Sequence, residues 1–307
     1  MESARNRYTR EMVEGEDLWM LPQVDKYGYE CGGCGIPVFP ASYDQANLQR
    51  PHFKKQQNTP HRDGCNIDGD EKTVARGKKG SVRNELETSP DLSPSRLVLI
   101  DERPAIDPDR KPSSQQTSTV RDIKRSDDEG LVRPKGRRAA NSIRPICRAF
   151  IRFPFDRTMS LDEPGVDDKT YLQAFKKLGG KGVDLFSRAR IFYAELTWAK
   201  PQEEGDYLVI PLSAGEWCDE KRWVKQYRVR VDRSKWSKHK RTKVSNELEV
   251  ARLEGIDAKK TDSKLRPYVF FVAEQDSAEP EFFNISDHRL ICAVVGTISY
   301  PDFKSGK

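Results

Sequence analysis

Four side chains that bind metals well stand in two short-spaced pairs near the start of the chain. Cys31 and Cys34 form a C-x₂-C pair, and His61 and Cys65 form an H-x₃-C pair further along. Zn²⁺ prefers four sulfur or nitrogen ligands in a tetrahedron, and two turns that each supply two ligands satisfy that geometry. The spacing therefore predicts a Zn²⁺ site held by these four residues.

His52 lies between the two pairs and is a fifth candidate. It either replaces one of the four ligands or stands beside them, where its ring could hydrogen-bond to a ligand. Three thiolates make a bound zinc ion electron-rich and a weak Lewis acid, which favours a structural role over a catalytic one. A disulfide, a redox role for the cysteines and a chance spacing are the alternatives.

The composition limits the size of a folded core and the compartment. Of the 307 residues, 36% are hydrophobic and 33% are charged, which is unusual for one compact globule of this length. No apolar run is long enough to span a bilayer, and no apolar segment follows the N-terminus. The other cysteines, Cys147, Cys218 and Cys292, are scattered singly, as is usual in a reducing compartment. We therefore expect a cytoplasmic protein with neither membrane span nor signal peptide.

The distribution of residue types divides the chain into regions. Residues 1–68 contain the candidate ligands among short apolar runs, which is typical of a zinc ribbon that depends on its metal for folding. Residues 69–138 are dominated by Ser, Pro, Arg, Lys and Asp, and we expect them to form a flexible linker. Residues 139–300 are expected to fold as a second domain, followed by a tail at 301–307.

The second domain combines helical and strand patterns. Apolar residues recur at helical spacing over 139–152, 168–178 and 244–253. The β-rich segments are 189–198, 207–212, 223–231, 267–273 and 290–295. The sequence therefore predicts an α+β protein whose second domain is a small antiparallel, barrel-like sheet similar to an OB fold, with a few helices.

The order of the candidate ligands resembles the N-terminal zinc motif of the CoiA-like competence protein family. The resemblance covers about residues 29–68 and rests on Cys31-x₂-Cys34, Arg50-Pro51-His52-Phe53 and His61-x₃-Cys65. In that family, another His often follows the His-Phe pair two residues later, where this chain has Lys55. The resemblance implies a protein of bacteria or mobile elements, and many members carry a nuclease-like domain after the zinc module.

The sequence assigns no catalytic residues. A nuclease needs clustered carboxylates for Mg²⁺ and a lysine near the scissile phosphate. The acidic stretch at 68–71 is expected to be a solvated turn, and the stretch at 203–206 a hairpin turn. Glu195, between Ala194 and Leu196 on a β-rich segment, is the single carboxylate that remains a catalytic candidate.

The segment 221–243 combines cationic and aromatic side chains. Over 221–231 they alternate with period two, so that rings and cations can share one face of a strand. Such a face can contact phosphates through its charges and stack bases on its rings. The residues assigned to this basic segment are Lys221, Arg222, Lys225, Tyr227, Arg228, Arg230, Lys235, Trp236, Lys238, Lys240, Arg241 and Lys243. A hairpin whose aromatic residues belong to the core is one alternative, and an acidic protein partner is another.

The sequence thus predicts a zinc-containing, nucleic-acid-binding protein of bacterial DNA uptake, transfer or defence, with single-stranded DNA as one candidate ligand. A nuclease or nuclease subunit is the second hypothesis. An adaptor that binds protein partners through the ribbon and the barrel edge is the third. The net charge of +6, with cations and anions interleaved, permits nucleic-acid contact without requiring it.

Overall fold

The computed structural model describes residues 1–301 apart from 47, 58, 63–64, 89–91, 100–138, 181 and 219–221, with 66–70 and 88 as backbone only. In this part of the chain, mostly antiparallel sheets combine with a few helices, which confirms the α+β class. The sheets are open and the described strands form no closed barrel, so the OB-like prediction is wrong. The physical reason is that the strands of the second domain divide between two sheets packed face to face. Among the described residues, no helix has both the length and the apolarity needed to cross a membrane.

The N-terminal module, residues 1–65, is built on a five-stranded antiparallel sheet. Its strands are β1 (Ser3–Asn6), β2 (Met12–Glu14), β3 (Tyr29–Glu30), β4 (Pro37–Ala41) and β5 (His52–Lys55), in the order β2-β1-β3-β4-β5. A 3₁₀ helix at Gly15–Met20 follows β2. Leu18, Tyr29, Val38 and Phe53 pack with Cys31 in a small core. A zinc ribbon stays a prediction for this module.

Residues 66–99 contain two helices, although the sequence predicted a flexible linker from residue 69 onward. Helix α1 spans Asn66–Gly77, α2 spans Arg83–Thr88, and a short strand β6 spans Arg96–Leu97. Val82, Leu86 and Leu97 are buried in the core that also contains α3 (Ile143–Arg152). This segment is ordered although most of its residues are polar. Its few apolar side chains are buried against the apolar surface of the second domain, which is enough to hold it in place. Residues 100–138, the rest of the predicted linker, lie outside the described residues.

Most of the remaining strands form two sheets, one of five strands and one of four. One contains β10 (Gln202–Glu204), β11 (Tyr207–Trp217), β12 (Trp223–Asp232), β15 (Phe282–Ile285) and β14 (Glu274–Gln275), in that spatial order. The other contains β16 (Ile291–Gly296), β13 (Arg266–Val272), β9 (Ile191–Glu195) and β8 (Phe175–Lys177), again in spatial order. Three pairs are parallel: β12 with β15, β8 with β9, and β6 with β7 (Ala139–Ala140). The described helices of this region are α3, α4 (Tyr171–Ala174), α5 (Lys238–Lys260) and a 3₁₀ turn at His288–Leu290.

The four-stranded sheet is buried on both faces, which explains the continuous apolar run along β13. Phe270 faces α3 and meets Phe150 edge to face, with ring centroids 6.5 Å apart. Phe271, the next residue, faces the five-stranded sheet and contacts Phe283 with centroids 5.2 Å apart. Because successive strand residues point to opposite faces, both faces must be apolar when both are covered.

Helices α3 and α5 hold the N-terminal module through buried ion pairs. Arg148 on α3 donates to Glu14 at 2.5 Å and to Glu16 at 2.7 Å. On α5, the Lys243 ammonium donates to Asp17 at 2.5 Å. The three carboxylates belong to the end of β2 and the 3₁₀ helix that follows it. The module is therefore docked on the second domain by side chains that lie far apart in the sequence.

Two further arginines complete this ion network. Arg144 on α3 donates to both carboxylate oxygens of Glu247 on α5, and both side chains are 2% exposed. Arg50, just before β5, donates to Glu16 at 2.8 Å and to Glu254 on α5 at 2.9 Å. Glu16 therefore accepts from the module's own arginine and from Arg148 of the second domain at once.

Candidate metal centre and basic surface

The first ligand pair lies in a tight turn between β3 and β4. The Cys31 N–H donates to the Ile36 carbonyl at 2.8 Å, and the Gly35 N–H donates to the Cys31 carbonyl at 2.9 Å. Gly35 has a φ of 73°, which residues with a side chain rarely adopt, so glycine suits this position. The Cys34 N–H points to the Cys31 sulfur at 3.5 Å. The turn thus places the sulfurs of Cys31 and Cys34 on the same side, where a single metal ion could contact both.

The second pair approaches from the segment between β5 and α1. The Cys65 N–H donates to the Arg62 carbonyl at 2.9 Å, and Cys65 directly precedes the first residue of α1. The His61 Nδ1 lies 3.4 Å from the sulfur of Cys34 and 3.4 Å from that of Cys65. The sulfurs of Cys31 and Cys65 are 3.7 Å apart. All four ligand atoms lie within 4.8 Å of one another.

Three of the six ligand–ligand distances are close to the edges of a tetrahedral zinc site. With Zn–S bonds of about 2.3 Å and a Zn–N bond of about 2.0 Å, the edges are about 3.8 Å between sulfurs and about 3.5 Å between sulfur and nitrogen. The structure has 3.7 Å and 3.4 Å for the corresponding pairs. The four residues therefore lie close enough together to hold one metal ion, and zinc as that ion stays a prediction.

The polar groups around the cluster favour thiolate at Cys34. Burial raises the pKa of the Cys31 thiol. Burial acts on Cys34 in the same direction, but the N–H groups of Ile36 and Arg62, with the His61 and Cys65 side chains, bring its pKa down to about 6. Because thiolate is the form that binds a metal ion, the backbone of the two turns already stabilises the binding form of this ligand.

His52 does not belong to the cluster. It is the first residue of β5 and lies opposite Ala41 of β4, and its Nδ1 is 3.2 Å from the Arg50 carbonyl oxygen. The group of described residues that could hold a metal ion contains Cys31, Cys34, His61 and Cys65 without it. Its place in a paired strand, outside the two turns, explains the separation.

One residue that the sequence pattern did not indicate supports the first turn. The Arg5 guanidinium, on β1, donates to the Gly32 carbonyl between the two cysteines. It also lies 3.5 Å from the Glu30 carboxylate, which precedes Cys31. An arginine in an N-terminal strand carries no sequence signal for this contact, because the contact depends on how β1 pairs with β3.

The basic segment divides into buried and exposed residues. Tyr227 is fully buried, and Trp236 is 9% exposed, with its Nε1–H donating to the Ser286 carbonyl at 2.8 Å. Lys243 is 2% exposed and pairs with Asp17. The assignment of these three residues to a nucleic-acid surface is therefore wrong, because the two rings complete the core and the ammonium group completes the module interface.

Two of the arginines are half-buried and neutralised by neighbouring carboxylates. Arg230 lies 3.1 Å from Glu279, with its guanidinium 4.0 Å from the centroid of the Phe282 ring. Arg241 lies 3.0 Å from Asp206. Lys240 is half-buried, Arg222 is exposed, and Lys221 lies outside the described residues.

Four cations of the segment are exposed and have no carboxylate within ion-pair distance among the described residues. They are Lys225 and Arg228 on β12, Lys235 in the loop that follows, and Lys238 at the start of α5. We call these four residues the free cations. Ser237 caps α5 by accepting from the Lys240 N–H, and the first turn of the helix contains no acidic residue.

An aromatic pair lies at the end of the β11–β12 hairpin; the basic segment contains one member, Trp223, and the sequence analysis did not include the other, Trp217. Trp217 and Trp223 are cross-strand partners with ring centroids 4.7 Å apart and ring planes at 80°. Trp217 is 50% exposed and Trp223 is half-buried. Their symmetric positions on either side of a short polar stretch of sequence are a signal that could have identified the pair.

Among the described side chains, the carboxylates considered for catalysis do not form a metal site, and the side chains of 68–70 lie outside the described part. Glu203 pairs with Arg233 at 3.2 Å, and Asp206 pairs with Arg241 across the β10–β11 turn, where Gly205 has a φ of 62°. Glu195 ends β9 opposite Tyr268. Within the described residues, the Cys/His cluster is the one group of such side chains close enough to hold a metal ion.

Comparison with protein-family models, with curated proteins and with solved structures found no match to this chain. The resemblance of residues 29–68 to the CoiA-like family therefore stays a prediction.

Proposed function

We propose that this chain is a zinc-containing protein that binds nucleic acid, in which the ion stabilises the N-terminal module and the free cations contact phosphates. The biological setting implied by the family resemblance is bacterial DNA uptake, transfer or defence. The observation that carries the nucleic-acid proposal is the division of the basic segment: half-buried and buried cations are neutralised, whereas Lys225, Arg228, Lys235 and Lys238 stay exposed without an acidic partner among the described residues.

A structural role for the ion follows from its ligands. Cys31, Cys34, His61 and Cys65 fill a tetrahedron, which leaves no position for a water molecule or substrate. Three thiolates also weaken the Lewis acidity of zinc. The apolar core of the module is small, so that metal binding would contribute much of its folding free energy.

The electrostatics at the start of α5 support a polyanionic ligand. The N-terminus of a helix carries partial positive charge and is stabilised by acidic side chains. The first turn of this 23-residue helix begins with the exposed Lys238 and contains no acidic residue, so that the charge of Lys238 is unfavourable there. A phosphate backbone would relieve that repulsion together with the charges of Lys235 and Arg228.

A charge-reversal experiment tests the proposal. The variant with all four free cations changed to Glu should bind every DNA sequence more weakly in a mobility-shift or filter-binding assay. Its plot of log affinity against log salt should be flatter, by about 0.9 for each duplex phosphate that the variant no longer neutralises. The matched control reverses four exposed lysines elsewhere, namely Lys55, Lys72, Lys78 and Lys79.

Two results would contradict the proposal. One is a wild-type protein that binds neither single-stranded nor duplex DNA at low salt. The other is an equal decrease of affinity in the control, which would show a dependence on net charge alone. The nuclease hypothesis has no specific observation in its favour, because the described carboxylates do not cluster into a metal site.

A further inference from the structure

We propose that Arg5 is a positioning residue for the candidate metal centre, and that it acts on Cys31 through the peptide group between Gly32 and Gly33. This inference rests on the zinc site of the proposed function and specifies a residue outside the cluster that controls how tightly the ion is held. Arg5 lies on β1, whereas the four residues of the cluster lie in the segments that follow β3 and β5.

One peptide group links the Arg5 guanidinium to the Cys31 sulfur. The guanidinium donates to the Gly32 carbonyl, and the Gly33 N–H of the same peptide group is directed at the Cys31 sulfur. The carbonyl and the N–H of a planar trans peptide point in opposite directions. A donor that fixes the carbonyl therefore also fixes the N–H that reaches the sulfur, and a charged donor does so more strongly than a neutral one.

The strand ladder holds Arg5 at this position. Arg5 pairs with Met12 of β2 on one side and with Glu30 of β3 on the other, so that the three side chains lie in a row on one face of the sheet. The Glu30 carboxylate is 3.5 Å from the guanidinium. The Met12 side chain packs against Gly32, where a Cβ would lie 3.0 Å from the Met12 sulfur. Neighbours on both sides therefore keep the guanidinium at the turn.

The charges next to the turn also favour a bound ion. A zinc ion with three thiolates and a neutral imidazole carries a net negative charge, which a nearby cation stabilises. Arg5 and Arg10 share the Glu30 carboxylate, so that their positive charges exceed its negative charge. The Arg10 side chain is 60% exposed and has no hydrogen bond to the Gly32 carbonyl, whereas the Arg5 side chain is 30% exposed and contacts the turn directly.

Three variants of the full chain test the inference. Arg5→Gln removes the charge, Arg5→Lys keeps the charge but not the planar guanidinium, and Arg10→Gln is the matched control that loses a contact with the same Glu30. Affinity for zinc is measured by competition with a chromogenic chelator. We expect a decrease of about tenfold in Arg5→Gln, a smaller one in Arg5→Lys, and no more than about twofold in Arg10→Gln.

A cobalt spectrum distinguishes positioning from a general loss of stability. When Co²⁺ occupies the cluster, the sulfur-to-metal charge-transfer band reports the electron density on the thiolates, which hydrogen bonds to sulfur reduce. A weaker Gly33 N–H bond to Cys31 should move this band to longer wavelength in Arg5→Gln and leave it in place in Arg10→Gln. A wild-type band in Arg5→Gln together with a lower melting temperature would contradict the inference, because it would show a structural role alone.

The outcomes separate this inference from the proposed function. A wild-type protein that binds neither zinc nor Co²⁺ overturns the zinc site of the proposed function and this inference with it. A wild-type protein that binds zinc, with unchanged affinity in Arg5→Gln, overturns only the inference. An equal decrease in Arg10→Gln also overturns it, because the effect would then come from the charge near Glu30 and not from the contact with Gly32.

A second measurement applies if Arg5→Gln does not fold, which circular dichroism shows. Arg5→Lys then provides the comparison of zinc affinity with Arg10→Gln. Nitrogen-15 NMR of the zinc-loaded wild type needs no substitution and compares the guanidinium protons of Arg5 with those of Arg10. Slower exchange with water at Arg5 supports the inference, and exchange as fast as at Arg10 contradicts it.

Discussion

Arg148 of α3 donates to Glu16 of the N-terminal module at 2.7 Å, and the Glu16 side chain is 1% exposed. Burial alone would raise the pKa of Glu16, but the guanidinium groups of Arg148, Arg144 and Arg50 hold it well below its usual range. Glu16 is therefore a buried anion that depends on cations from two parts of the chain. This contact makes the N-terminal module and the second domain dependent on each other for stability.

Replacing Arg148 with Ala should lower the free energy of unfolding by about 3–5 kcal/mol, because it leaves buried carboxylates without their cation. Urea denaturation followed by circular dichroism measures this. The matched control is Lys260→Ala, which removes an exposed ion pair with Asp257 and should cost less than about 1 kcal/mol. A decrease in Arg148→Ala no larger than that of the control would show that the two parts of the chain are not coupled there.

We expect zinc content to depend on the cysteines and histidines of the cluster and not on those outside it. The purified protein should contain one zinc ion per chain, and Cys34→Ser or His61→Ala should lose it and destabilise the module, because each removes one ligand of the cluster. Cys218→Ser and His52→Ala should retain the ion, since neither residue belongs to the cluster. Elemental analysis by mass spectrometry measures the zinc content per chain. Zinc retained in a Cys31→Ser/Cys34→Ser variant would refute the ligand assignment.

Glu163 predicts a specific pH dependence of stability. Burial raises its pKa from 4.5 to about 8, and neither of its carboxylate oxygens has a hydrogen-bond partner in the described residues. Between these two values the folded state binds a proton that the unfolded state releases, so the free energy of unfolding falls as the pH rises. Glu163→Gln should remove this contribution and be more stable than the wild type at pH 8, by on the order of a few kcal/mol.

The control for Glu163→Gln is Asp162→Asn, which changes the adjacent, exposed carboxylate. Denaturation at pH 5, 6, 7 and 8 should show a difference between Glu163→Gln and wild type that grows with pH, and no such growth for the control. A difference that stays constant with pH would mean that Glu163 is not protonated in the folded protein.

Trp236 is expected to contribute to stability rather than to ligand binding. Trp236→Ala removes a 9% exposed ring and the hydrogen bond to the Ser286 carbonyl, and should cost about 3–5 kcal/mol of unfolding free energy. Trp198→Ala, at a position that is 44% exposed, is the matched control and should cost much less. The melting temperatures of the two variants and of the wild type, measured by thermal melting, test this expectation. A folded Trp236→Ala protein with an unchanged melting temperature would contradict the burial of this ring.

The sequence by itself identified the four residues of the Cys/His cluster. Cys31 with Cys34, and His61 with Cys65, are each close enough in the chain for one turn to bring both side chains together. Turn geometry is a local property, so spacing and residue type were sufficient to predict it. The α+β class could be predicted from the sequence for the same reason, because the periodicity of apolar residues reflects local helix and strand geometry.

The tertiary structure alone decided which basic residues are free and how the strands assemble. Lys243 looked like part of a cationic surface, but its partner Asp17 is 226 residues away, and no local pattern connects the two. Tyr227 and Trp236 have an aromatic face that suits a base or a core equally well, and only the packing of the two sheets buries them. The prediction of a barrel-like sheet was wrong for a related reason: strand pairing across long separations, such as β12 with β15, depends on contacts that neither strand encodes locally.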